Sequence, residues 1–140
     1  MTDPERNIER VQRAFAAALS GDWSTVASLV HGDVDWHLPG DSPIARDAIG
    51  VDAFVAKVQM LFSSGLNVEL LNVFASGDQV ATLQRNTATS NDGDLDILVV
   101  NLFTMTEGKL TRMQTFPSDL YALDRFWSGR QDLLERDGHG

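Results

Sequence analysis

The sequence predicts an α+β domain in which a curved antiparallel sheet wraps around three N-terminal helices and encloses a conical pocket. Three observations predict it. Apolar residues recur three or four apart through 4–19 and 51–63, the helical spacing; from residue 67 onward the pattern changes to a period of two. The later stretches are joined by Ser76-Gly77-Asp78, Asn91-Asp92-Gly93-Asp94 and Glu107-Gly108-Lys109, short connections that make antiparallel hairpins. Helices that precede such a sheet must cover one of its faces, and a helix pair laid across a bent sheet leaves a cone with an apolar floor.

The first helix, 4–19, opens on Asp3-Pro4-Glu5, a cap followed by a proline in the first turn, and sets Ile8, Val11, Phe15 and Leu19 on one face. Gly21 ends it. Asp22 caps a short second helix carrying Trp23, Val26, Leu29 and Val30, which Gly32 stops. Residues 33–38 alternate as a strand closed by Pro39-Gly40, so Asp35 and His37 share a face and Trp36 points the other way. A loop over 40–50 leads to the third helix, 51–63, with Phe54, Val58, Leu61 and Phe62. Strands follow at 67–75, 79–89, 95–106 and 109–116, and a final short helix at 118–127 has Asp119 as its cap. The domain spans 1–129, with a polar tail over 130–140.

At 140 residues the chain has room for one domain with a real core. Eleven Lys and Arg against 20 Asp and Glu leave a formal charge of -9, which repels nucleic-acid phosphates and anionic lipid, so neither is an expected partner. No apolar run approaches the ~20 residues that span a bilayer, and the N-terminus has no secretory pattern; the cytoplasm is the default compartment. The absence of cysteine removes disulfides, thiolate metal sites and a Cys nucleophile. His31, Asp33, Asp35 and His37 recur every two residues, but four such strand positions span roughly 20 Å and one ion reaches two of them at most, so no metal is expected. Nucleotide-binding and serine-hydrolase motifs are missing.

The order helix, helix, strand, helix, four strands, with Leu19-Ser20-Gly21-Asp22, Trp36-His37-Leu38-Pro39-Gly40, Thr106-Glu107-Gly108-Lys109-Leu110 and the ending Asp119-Leu120-Tyr121 with Asp124-Arg125-Phe126-Trp127, resembles the SnoaL-like branch of the nuclear-transport-factor-2-like (NTF2-like, cystatin-like) superfamily over residues 5–127. That superfamily includes ketosteroid isomerases, limonene-type epoxide hydrolases, polyketide cyclases and dehydratases, so the resemblance implies a fold more than a reaction. It implies a cofactor-free site in the cone, and a homodimer through the outer face of the sheet. The epoxide hydrolases' Arg-x-Asp pair has Arg85 here, but Thr87 replaces its carboxylate and Thr115 stands where the second Asp falls, so that mechanism is not expected. The isomerases' tyrosine position on the first helix holds Phe15, and the inward residue of the third meander strand is Asn101, not Asp.

Proton-transfer chemistry would rest on His37, whose imidazole both takes and returns protons near neutral pH, with Asp35 tuning it and Arg85 and Asn101 stabilising an enolate-like oxygen. Thr87, Thr115, Phe15, Phe54 and Phe103 complete the expected lining. Each polar residue also has a structural reading: His37 as a surface or hydrogen-bonded histidine, Asp35 solvated at the strand start, Arg85 paired with an Asp at the rim or dimer face, Asn101 in an internal network. Two function classes therefore remain. One is a cofactor-independent isomerase, cyclase or dehydratase acting on a small apolar molecule; the other is a non-catalytic small-ligand-binding or dimerisation protein.

Overall fold

A computed structural model describes residues 3–91 and 93–129; the tail expected at 130–140 lies outside them. The elements run α1 (Pro4–Ser20), α2 (Trp23–Ser28), β1 (Val30–His37), β2 (Ala48–Ile49), α3 (Val51–Ser63), β3 (Asn67–Ser76), β4 (Gln79–Ala88), β5 (Leu95–Thr106), β6 (Lys109–Pro117) and α4 (Leu120–Ser128). The strands form a single sheet in the order β2-β1-β6-β5-β4-β3. The meander β3 to β6 is antiparallel throughout, whereas β1 lies parallel to β6. β1 follows the first two helices and lies between β6 and the short antiparallel strand β2, which forms the edge of the sheet.

The caps follow from the local sequence. Asp3 accepts hydrogen bonds from the Glu5 and Arg6 amides at 3.1 and 3.3 Å, and Gly21, at φ 78°, closes α1 with its N–H on the Ala17 and Ala18 carbonyls. Asp22 accepts from the Thr25 amide and hydroxyl, which holds its carboxyl below the ordinary range. Asp119 caps α4 through the Ala122 amide at 3.0 Å.

Most boundaries fall within two residues of the sequence expectation, the last helix starting at Leu120 rather than 118, but two features differ more. The second helix ends at Ser28, and β1 begins at Val30 rather than 33, because Val30 pairs with Leu110 of β6 across an irregularity that precedes Asp35. The loop over 40–50 contains β2, whose Ala48 and Ile49 pair back on Trp36 and Asp35.

Helices α1 and α3 cover the inner face of the sheet, with α1 over β3 and β4 and α3 against β1. The core between them holds Val11, Val34, Trp36, Phe54, Val80 and Phe103, all at most 6% exposed. Aromatic pairs tie helix to sheet: Phe15 meets Phe103 edge-on at 6.3 Å, and Phe54 tilts against Trp36 at 5.5 Å. Helix α4 closes the far end. Its Asp124 carboxylate accepts from the amides of Asp41 and Ser42 at 3.1 Å, clasping the loop after β1, and Gly40 (φ 110°) leaves the space that this carboxylate fills. No helix among the described residues is long and apolar enough to cross a membrane.

Candidate functional site

Between the inner sheet face and the helices lies a cavity of about 140 Å³. Phe15 of α1, Phe54 and Leu61 of α3, Trp36 of β1 and Phe103 of β5 form much of its wall, with Leu123 and Trp127 of α4 at one side. An apolar cavity on this scale accepts a ligand body of about one aromatic ring, more where it opens to solvent.

The register of the sheet decides which side chains reach it. Cross-strand partners share a face, so Trp36, Met113, Phe103 and Val80 make one inward row and Thr115, Asn101 and Thr82 the next. Gln84 and Asn86 continue the inward face of β4. The polar members are joined end to end. Trp36 Nε1 donates to Thr115 Oγ1 at 2.9 Å, Thr115 donates to Asn101 Oδ1 at 2.7 Å, Asn101 Nδ2 donates to Gln84 Oε1 at 3.0 Å, and Gln84 Nε2 donates to Asn86 Oδ1 at 2.8 Å.

The direction of this chain has a physical origin. An indole N–H can only donate, so Thr115 must accept from it and pass its own proton onward; each amide then accepts on oxygen and donates from nitrogen. The last group, Asn86, is left presenting its Nδ2 hydrogens, which meet no acceptor among the described residues. A neutral relay anchored in the core thus ends in free donors on the cavity wall. Each link contributes about 1 kcal/mol net, and leaving any of these buried groups unpaired costs about 1–3 kcal/mol.

Of the residues expected at the site, Phe15, Phe54, Phe103, Asn101 and Thr115 line this cavity. The charged residues do not. His37 and Asp35 lie on the opposite face of β1 from Trp36, because Val34 and Trp36 take the buried phase of the strand. His37 is exposed, and its Nδ1 lies 2.7 Å from Asp47 Oδ1, not beside Asp35. Asp35 is half-buried, with one carboxylate oxygen enclosed and unpartnered. Arg85 and Thr87 occupy the outer face of β4, since Thr82, Gln84 and Asn86 hold the inner one. Arg85 makes a two-point pair with Asp96 at 2.8 and 2.6 Å, which raises the guanidinium pKa and lowers that of the carboxyl. Thr87 accepts from Asn67 Nδ2 at 3.4 Å. Placing His37, Asp35, Arg85 and Thr87 in the cone is therefore corrected by the register.

A second titratable group lies just outside the wall. Lys57 of α3 donates to the Arg46 carbonyl and stands 4.8 Å from the centroid of the Trp36 ring. Burial pulls its ammonium from 10.5 down to about 8, with Asp47 opposing the shift. No group of three or more His, Asp or Glu side chains gathers into a metal-binding cluster among the described residues.

Gln84, Asn86, Trp36 and Arg10, all on the cavity wall, escape the sequence reading. The signal for Trp36 was present. Val34 and Trp36 are the apolar phase of β1, whereas the inward phase of β4, which carries Gln84 and Asn86, is set by its pairing with β5.

Comparison with known proteins places the geometry among relatives. The model of a SnoaL-like domain matches residues 11–113. The uncharacterised protein Rv0034 of Mycobacterium tuberculosis is 30% identical over 132 residues, 91% of this chain and 100% of that one. Bal32a, from a soil-derived mobile gene cassette, superposes with a TM-score of 0.85 at 34% identity, covering 90% of this chain and 99% of its own. A SnoaL-like polyketide cyclase from Jannaschia sp. CCS1, so named by inference, superposes at 0.74 with 22% identity, covering 91% and 98%; that likeness speaks to fold alone.

Proposed function

The chain belongs to the SnoaL-like domain family, and from that premise we propose that it binds a small, largely apolar molecule carrying an acceptor oxygen, such as a cyclic ketone. The observation that carries this reading is the composition of the cavity's polar wall. Gln84, Asn86, Asn101 and Thr115 are neutral, and the free donors at the end of their relay favour a carbonyl or ether oxygen over a hydroxyl that must donate. No carboxylate or imidazole is among the described lining residues, so the acid–base pair expected of His37 and Asp35 has no counterpart inside.

Isomerase, cyclase or dehydratase activity is the second reading. The Asn86 donors support it, because a hydrogen bond to a ligand carbonyl acidifies the adjacent C–H. One experiment separates the two. Tetralone and tetralin share a body and differ in the carbonyl. The protein is expected to bind tetralone the more tightly, and Asn86→Leu to abolish the difference; equal affinities in the wild type overturn the reading. Tetralone incubated with the protein in D2O then reports chemistry: exchange at the carbon beside the carbonyl faster than in buffer makes the site catalytic, and exchange at the buffer rate leaves it a binding site.

We also propose that a second copy of the chain covers the outer sheet face, as the family resemblance implies. Phe116, Val100 and Leu83 form one outward row, with Phe74 and Leu102 in the row beside it and Leu98 on the other flank. Phe74, Leu98 and Phe116 are 48%, 44% and 52% exposed, large apolar side chains that a partner surface would cover.

A further inference from the structure

We infer that the ligand of this cavity also carries an acidic group, a carboxylate on an apolar body, and that Arg10 of α1 is the residue that holds it. The inference rests on the reading of the cavity as a small-molecule site, and it adds the charge of the molecule to that reading.

Arg10 is the charged residue among the described lining of a wall that is otherwise apolar or neutral. It is half-buried, and the bond it makes is from Nη1 to Asn7 Oδ1, at 2.9 Å, one turn earlier on the helix. Asn7 is itself 3% exposed, so the tether is a fixed one. A guanidinium has five N–H donors, and this contact uses one of them. No carboxylate among the described residues pairs with it: Asp3 is taken by Arg6 at 3.6 Å, and Glu107, which borders the adjoining cavity of about 170 Å³ together with Arg10, makes no ion pair. Arg10 thus keeps most of its donors free beside an apolar chamber, a position from which it can take the acidic group of a ligand.

The neighbouring backbone supports the same role. A Cβ on Gly108 (φ 80°) would lie 2.9 Å from Cζ, 3.1 Å from Nη2 and 3.2 Å from Nε of Arg10. Three nearly equal distances mean that the guanidinium lies face-on against the glycine of the β5–β6 turn. Its face is therefore covered and its edge is left for hydrogen bonding, the geometry in which arginine binds a planar carboxylate at two points. Arg10 and Met105 border both cavities, which places the cation where the apolar chamber meets the more polar one. The net charge of -9 disfavours anions at long range; screening confines that field to about 10 Å at moderate salt, while a direct contact with Arg10 acts inside it.

The test uses the full chain and two probes with the same body, naphthylacetate and its neutral amide, titrated calorimetrically at low salt. The wild type is expected to bind the acid at least about tenfold more tightly than the amide, as a charge-assisted pair outweighs a neutral one. Added salt is expected to weaken the acid and leave the amide unchanged. Arg10→Gln is expected to bring the two affinities together, and Arg10→Lys to restore part of the preference, since it keeps the charge and loses the fork. Equal binding of acid and amide by the wild type overturns the inference, as does an acid preference that survives Arg10→Gln. Failure of both probes and of tetralone to bind overturns the cavity reading itself, and this inference with it. The wild-type comparison and its salt dependence decide the matter even where the Gln variant fails to fold.

Discussion

Trp36 and Thr115 meet at 2.9 Å between adjacent strands, and the donor-only chemistry of the indole sets the polarity of the side-chain relay that runs from β1 to β4. Replacing Trp36 by Phe removes that constraint while keeping an aromatic against Phe54. The expected cost is about 1–3 kcal/mol, measured by urea unfolding. A second expected outcome is weaker discrimination between tetralone and tetralin, because the relay is free to reverse and Asn86 to turn its oxygen toward the cavity.

Thr82 predicts a gain. It is fully buried in the row of Thr115 and Asn101, yet its hydroxyl finds no partner in the relay. Valine has the same shape without the unpaired oxygen. Thr82→Val is expected to raise stability by about 1 kcal/mol in chemical denaturation, with no change in cavity binding.

Lys57 predicts a pH dependence. Its ammonium titrates at about 8 in the fold and near 10.5 when unfolded, so between those values the unfolded chain holds more protons. Stability is therefore gained as pH rises from about 8 to 10.5 and lost as pH falls back through 8. The difference in unfolding free energy between wild type and Lys57→Met, followed across that range, is expected to show this step; a flat difference would remove burial as the governing influence on Lys57.

His37 and Arg85 stand on the outer face, and their removal is expected to leave the cavity untouched. His37→Ala and Arg85→Ala should bind tetralone with wild-type affinity. A large loss in either would restore the role expected of them from the sequence.

The outer face yields a prediction about assembly. Leu98→Asp or Phe116→Asp places a charge in the exposed apolar rows. Sedimentation velocity is expected to find a dimer for the wild type and a monomer for either variant, with the far-ultraviolet spectrum unchanged.

Much of the architecture was legible because helical spacing, capping residues and hairpin loops are local signals. Asp3, Asp22 and Asp119 each cap the helix their position announces. The phase of the strands was harder. Alternation separates Trp36 from His37 but does not say which faces inward; choosing the chemically interesting residues for the pocket reversed β1 and β4 together. In β1 the apolar pair Val34 and Trp36 carried the answer. In β4 both faces are mixed, Val-Thr-Gln-Asn against Ala-Leu-Arg-Thr, so only the pairing with β5 decides. The parallel joining of β1 to β6 is a contact across 79 residues, which no local pattern encodes.

The clasp of Asp124 on the amides of Asp41 and Ser42 joins positions more than 80 residues apart. Leu38 and Ile44 on one side of it, and Leu123 and Trp127 on the other, all belong to the cavity wall. The chamber wall is thus completed only where α4 docks on the loop after β1, a contact of high sequence separation that pays a large loop-closure entropy. A small molecule that binds only the docked form would therefore stabilise the clasp between α4 and that loop by mass action, although it touches neither Asp124 nor the amides that Asp124 holds.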